Sequence, residues 1–131
     1  MKTLLPPGWP RPKGYSNGIS ARGRTIYTAG VVGWDEREHF TSNTLPGQFE
    51  QALKNIVVIL EEDGAGPGHL VRLTCYVTSI DAYLASLAEI GEAWQRVIGR
   101  HYPAMALVEV VRLVEPQAMV EIEATAVVEN E

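Results

Sequence analysis

Cysteine is nearly absent: Cys75 stands alone, so no intrachain disulfide can form. No apolar run reaches the roughly 18 residues that a membrane-spanning helix needs. Basic runs are also missing, with 11 Lys and Arg against 16 Asp and Glu. The formal net charge of −5 repels phosphate backbones, so non-specific nucleic-acid binding is disfavoured. His39, His69 and His101 lie far apart and show no ligand spacing, so no metal site is expected. No serine sits in a nucleophile-elbow context. In the opening "MKTLLPPGWP" prolines arrive before any apolar h-region, so a secretory signal is not expected and the cytoplasm is the expected compartment.

What is present is ordinary for a globular chain. Of 131 residues, 46% are hydrophobic and 21% charged. That length suits one domain with one core, expected over residues 1–131, with 1–13 as a proline-rich extended lead-in. "GISARGRTIYTAGVVG" reads as two short strands with a turn near Arg22 and Gly23. Residues 34–47 are a polar connection whose charges, Asp35 to Glu38, suit a solvated loop.

The first helix is carried by Phe49, Ala52, Leu53, Ile56, Val57 and Leu60, spaced for one helical face. Thr44 or Asn43 is placed to cap it, Pro46 falls in its first turn and Gly64 is placed to end it. "GAGPG" follows this helix and lacks a following Lys-Ser/Thr, so it reads as a turn and not a phosphate cradle. A strand over 69–78 sets Val71, Leu73, Cys75 and Val77 on one face and Leu70, Arg72, Thr74 and Tyr76 on the other, which makes Cys75 a buried small residue. A second helix follows Ser79, with Leu84, Leu87, Gly91, Trp94 and Ile98 as its apolar stripe and Gly99 at its end. Strands over about 105–113 and 118–128, joined at Glu115-Pro116, complete the order ββαβαββ. The expected fold is α+β in two layers, a mixed sheet with two helices on one face.

The second face of that sheet then needs a partner. Met105, Leu107 and Val111 share one side of their strand; Ala106, Val108 and Val110 share the other, and both sides are apolar. A strand open to water on one side alternates with polar residues, so self-association is expected. Glu121 and Glu123 share a face between apolar residues. They either pair with Arg112 or Arg72 at an interface rim, line a pocket between subunits, or are solvated.

Several segments together resemble the RidA/YjgF family: "GYSNG" at 14–18, "IYTAG" at 26–30, "QFEQALKNIVVILEEDGAG" at 48–66, "VRLTCYVTSIDAY" at 71–83, "YPA" at 102–104 and "VEIEATAV" at 120–127. The resemblance runs from about residue 13 to 128. It implies a chorismate-mutase-like fold and a homotrimer with a central barrel and three clefts between subunits. It also implies hydrolysis of reactive enamines and imines, such as 2-aminoacrylate, to keto acids and ammonia, with no metal and no cofactor. In that family an arginine after Pro-Ala grips the substrate carboxylate, and a glutamate on the last strand positions or activates water.

Here Pro103 and Ala104 match that pattern and Met105 stands where the arginine belongs. A guanidinium holds a carboxylate by two charge-assisted hydrogen bonds, and a thioether offers neither charge nor donor. Losing one charged contact in a desolvated cleft costs about 2–5 kcal/mol. Imino acids of the 2-aminoacrylate type are therefore expected to be poor substrates. Ala29 replaces a serine, Leu87 an asparagine and Leu107 a cysteine, while Tyr15, Gly30 and Glu121 keep the family pattern. The changes all run toward apolar side chains. Either the pocket takes a more hydrophobic ligand with a polar end near Tyr15 and Glu121, or the cleft is filled with core-type side chains.

Three functions follow as alternatives. One is a hydrolase for imines or related metabolites, with Glu121 orienting water and Tyr15 contacting substrate. Gly30, Ala29, Leu87, Met105 and Leu107 would line its substrate cleft. Another is a non-catalytic, metabolite-binding or regulatory trimer. A third is RNA cleavage, described for some relatives, against which the acidic charge argues. Arg100 and His101, just before the strand, are placed to fold back toward the cleft, although a loop histidine is ordinarily a surface residue.

Overall fold

The computed structural model describes residues 1–129. Strands β1 (Lys2–Leu4) and β2 (Gly18–Ser20) pair antiparallel as a small separate sheet, so the lead-in is not merely extended. The main sheet holds β3 (Arg24–Tyr27), β4 (Val31–Val32), β5 (Leu70–Val77), β6 (Ala104–Glu109) and β7 (Val120–Val128). Its order is β3-β7-β5-β6, with β4 also on β7. β5 and β6 run parallel and the other pairs antiparallel, so the sheet is mixed as expected.

Helix α1 (Leu45–Glu61) starts where Thr44 accepts from the Gly47 N–H at 3.2 Å, with Pro46 in its first turn. Gly64 takes φ +71° beyond its end, while the Ala65 N–H returns to the Leu60 carbonyl at 3.0 Å. Its face of Phe49, Ala52, Leu53, Ile56 and Leu60 is buried against Leu73, Cys75 and Val77 of β5 and Val120, Ile122 and Ala124 of β7.

The second helix differs from the expected continuous one. It breaks at Ser86 into α2 (Ile80–Ala85) and α3 (Leu87–Val97). The break leaves Leu84 and Leu87 about half exposed, at 57% and 51%, and the buried stripe is Ile90, Ala93, Trp94 and Ile98. Two strand details also differ. A β-bulge between Leu70 and Arg72 turns Leu70 into the core and leaves Val71 only half-buried. β6 stops at Glu109, whose carboxylate accepts from the Ile80 N–H at 2.9 Å, so Val111 does not share a face with Met105 but is exposed.

Two polar side chains of α1 fasten the layers together. Gln48, buried, donates to the Ser42 and Gln117 carbonyls at 3.1 and 3.0 Å and accepts from the Met119 N–H at 2.8 Å. Asn55 donates to the Val32 and Trp34 carbonyls at 3.1 and 2.7 Å. These contacts satisfy loop and strand-end backbone groups that burial would otherwise leave unpaired. They give a structural reason for two positions of the motif at 48–66.

Candidate functional site

Register decides which candidate residues can meet. Leu73 of β5 pairs with Met105 of β6, and Cys75 with Leu107, so both β6 residues lie on the helix-covered face. Tyr76 of β5 pairs with Glu121 of β7, and Thr74 with Glu123. Successive strand residues point to opposite faces, so Glu121 lies on the open face and Met105 on the other. Within one protomer they do not share a cleft.

The helix-side group is a cavity of about 400 Å³ at the β6 edge. Met105 and Leu87 line it together with Phe49, Tyr83, Trp94 and Tyr102. The Trp94 and Tyr102 rings stack with centroids 6.4 Å apart and planes 10° from parallel. Gln95 donates to the Tyr102 hydroxyl at 2.6 Å, and the Trp94 indole N–H donates to the His101 carbonyl at 3.1 Å. Burial, with a smaller contribution from Cys75, raises the Tyr83 pKa above its ordinary value, so this phenol is a neutral part of the wall. Leu107 packs against the core one pair further along β6 and does not line the cavity. Cys75 is fully buried, and burial pushes its thiol up to about 12, which rules it out as a thiolate nucleophile near neutral pH.

The open-face group centres on Glu121 and Gly30. A Cβ built on Gly30 would stand 2.4 Å from Glu121 Oε2, so the carboxylate lies directly against the Gly30 backbone. Ala29 and Gly30 are exposed just before β4, whose Val32 pairs with Glu121. Glu121 is half-buried and makes no hydrogen bond or ion pair among the described residues. Its neighbour Glu123 accepts from the Tyr76 hydroxyl at 2.7 Å, and that bond raises the tyrosine's pKa. Neither glutamate pairs with Arg72 or Arg112 among the described residues.

Tyr15 belongs to a third place. It is 44% exposed and lines a cavity of about 650 Å³ together with Arg11, Arg100 and His101. His101 Nε2 lies 2.6 Å from the Leu70 carbonyl, which can only accept, so that nitrogen carries a proton and is engaged. Gly14 and Tyr102 line both this cavity and the Met105 cavity. Sequence reasoning passes over Trp94 and Tyr102 as cavity walls, because Trp94 reads as part of the helix's apolar stripe and Tyr102 only as part of the "YPA" motif. It also passes over Lys13, which lines the Met105 cavity. The signal is its place beside the "GYSNG" motif. Among the described residues no three His, Cys, Asp or Glu side chains gather to hold a metal ion. No helix among them is long and apolar enough to cross a membrane.

A family model described as endoribonuclease L-PSP matches residues 10–128. A RutC family protein of Pyrococcus abyssi is 32% identical over 119 residues, 89% of each chain. The 2-iminobutanoate/2-iminopropanoate deaminase of Salmonella typhimurium is 29% identical over 113 residues, 86% of each. Among solved structures, a member of the conserved Rid family from Yersinia pestis superposes with a TM-score of 0.83 at 30% identity, covering 97% of this chain and 98% of that one.

Proposed function

Since the chain belongs to the RidA/YjgF family, the endoribonuclease L-PSP family of the matching model, we propose that it is a cofactor-independent hydrolase for imines or enamines with an apolar body. Its sites are clefts between the subunits of a homotrimer. The observation that carries this reading is the Glu121 carboxylate, set against the Gly30 backbone with no protein partner among the described residues. A half-buried carboxylate left free in this way is available to hold a water molecule and to take its proton as the water attacks an imine carbon. Tyr15 contacts the substrate from its exposed position.

Assembly is what brings the two groups together. Met105 and Leu87 on the helix side and Glu121 and Gly30 on the open face lie on opposite faces of one sheet, and a neighbouring protomer supplies the missing half. Exposed apolar residues support such packing. Val108 on the open face is 45% exposed, and the loop after β6 exposes Val111 at 98% and Val114 at 91%. Polar Arg72, Thr74, Tyr76 and Glu123 occupy the centre of the same face, which suits a hydrated barrel interior better than a dry one.

Met105 sets the substrate range. The family deaminase's small imino acids offer little apolar surface, and here no guanidinium at position 105 holds their carboxylate, so they are poor substrates. A second reading, a non-catalytic metabolite-binding trimer, is favoured by the apolar lining at Met105 and Leu87. Imines generated in place by an amino-acid oxidase from leucine or phenylalanine separate the two. Hydrolysis above background that Glu121→Gln abolishes supports the enzyme; ligand-induced thermal stabilisation with no turnover on any imine supports the binding protein.

A further inference from the structure

We infer that Lys13 holds the anionic end of a ligand whose aromatic or branched apolar body fills the Met105 cavity, taking over in weakened form the charge that position 105 lacks. This deepens the cleft function proposed above and rests on it. Among the described residues Lys13 is the only charged residue lining that cavity, and it makes no ion pair. No carboxylate competes for it there. The walls, Leu87, Trp94, Tyr102 and Met105, favour an apolar body.

The segment that carries Lys13 is anchored three residues on, at Ser16. Gly14 takes φ +82°, a left-handed conformation that glycine adopts without strain, and Lys13 and Tyr15 on either side of it line different cavities. Two residues further on, the Ser16 N–H donates to the Pro103 carbonyl at 3.1 Å and its hydroxyl donates to the Tyr102 carbonyl. Ser16 also bridges Ala104 in parallel, so this segment lies along the start of β6 directly before Met105. The lysine therefore reaches the cavity from a fixed neighbouring segment.

The grip differs in kind from a buried guanidinium. Lys13 is exposed, its ammonium is a point charge without a planar fork, and water screens it. It is enough to choose between an acid and its neutral analogue once the body is buried, and too weak to capture a small acid by charge alone. With methionine at position 105, acids of larger size are then accepted and small ones are not.

Calorimetric titration of the full chain with 3-phenylpropanoate, its neutral amide and propanoate tests this. The acid is expected to bind about fivefold more tightly than the amide, near the upper value for an exposed ion pair. Propanoate should show no measurable binding. Lys13→Gln should bring the acid-to-amide ratio to about one with amide affinity unchanged, Lys13→Arg should keep the preference, and Leu87→Trp should weaken both ligands about tenfold by filling the cavity. An unchanged ratio in Lys13→Gln, a wild type that prefers the amide or binds neither, or full binding by Leu87→Trp would overturn the inference. The readout involves no turnover. Failure of Lys13 here leaves the Glu121 chemistry standing, and inactivity toward every imine leaves the Lys13 preference standing.

Discussion

Gly30→Ala separates the stability of the chain from its chemistry. The added methyl would stand 2.4 Å from Glu121 Oε2, 2.8 Å from its Cδ and 3.1 Å from its Cγ. Comfortable carbon contacts begin at about 3.5 Å, so the carboxylate has to retreat by roughly 1 Å. Gly30 is not among the glycines with positive φ, so alanine suits the backbone there. What gives way is the end of a flexible, half-exposed side chain, at a rotamer cost of about 0.5–1.5 kcal/mol. For a chain of this size that lowers Tm by only a few degrees. A catalytic group misplaced by about 1 Å costs on the order of 100-fold in rate. Gly33→Ala is the contrast. Its methyl would meet the Gln48 carbonyl oxygen at 2.2 Å, a backbone atom of buried α1 that cannot step aside, and roughly 3 kcal/mol or more of stability should be lost. Thermal unfolding is measured beside imine hydrolysis, with semicarbazide competing for the imine. Gly30→Ala retaining turnover within about twofold, or unfolding as readily as Gly33→Ala, would refute the reasoning.

Further outcomes follow from the same geometry. With an aminoacrylate-generating dehydratase, the wild type should release keto acid at close to background, and Met105→Arg should gain less than about tenfold, because apolar Leu87 stays beside position 105 in the cavity; strong wild-type activity would contradict the need for a cation at position 105. Gln48→Ala leaves the Ser42 and Gln117 carbonyls and the Met119 N–H without their side-chain partner, and should cost about 3 kcal/mol in denaturant unfolding, with less than about 1 kcal/mol counting against the account. Glu50 has its pKa lowered by its hydrogen bond from Arg96 and then by Lys54. Its contribution to stability is therefore fully present above the unfolded value of 4.5 and lost as pH falls through the lower folded value. Because the pair is near the surface, the effect is at most about 1 kcal/mol and shrinks in salt; Arg96→Ala should flatten the acid limb of the Tm profile accordingly.

The helix–sheet core was legible because its signals are periodic. Phe49 to Leu60 repeats at the helical period, and Leu73, Cys75 and Val77 alternate, so local pattern and burial agree. The failures fall where one residue changes the phase. The bulge beside Leu70 shifts a strand by one position, and the break at Ser86 rotates one half of a helix against the other. No periodicity count reveals either, since each is set by what the element packs against. Candidate site residues could be named from the sequence but not placed. Met105 and Glu121 both read as cleft residues, yet which face each occupies follows from pairing across β5. For Lys13 the motif beside it was only a weak signal, because it approaches the cavity through a segment that is adjacent to β6 only in space.

The central claim is that each working site takes Glu121 from one protomer and the Met105 cavity from another. Co-expression of Glu121→Gln with Leu87→Trp chains measures this directly. Glu121→Gln alone should be inactive, and Leu87→Trp alone about tenfold below wild type at subsaturating substrate, on the imine that the wild type hydrolyses best. Randomly mixed trimers should recover about one quarter of wild-type turnover, because roughly one interface in four then joins two intact halves. No recovery in mixed assemblies of confirmed composition would place the whole site within one chain and contradict the account.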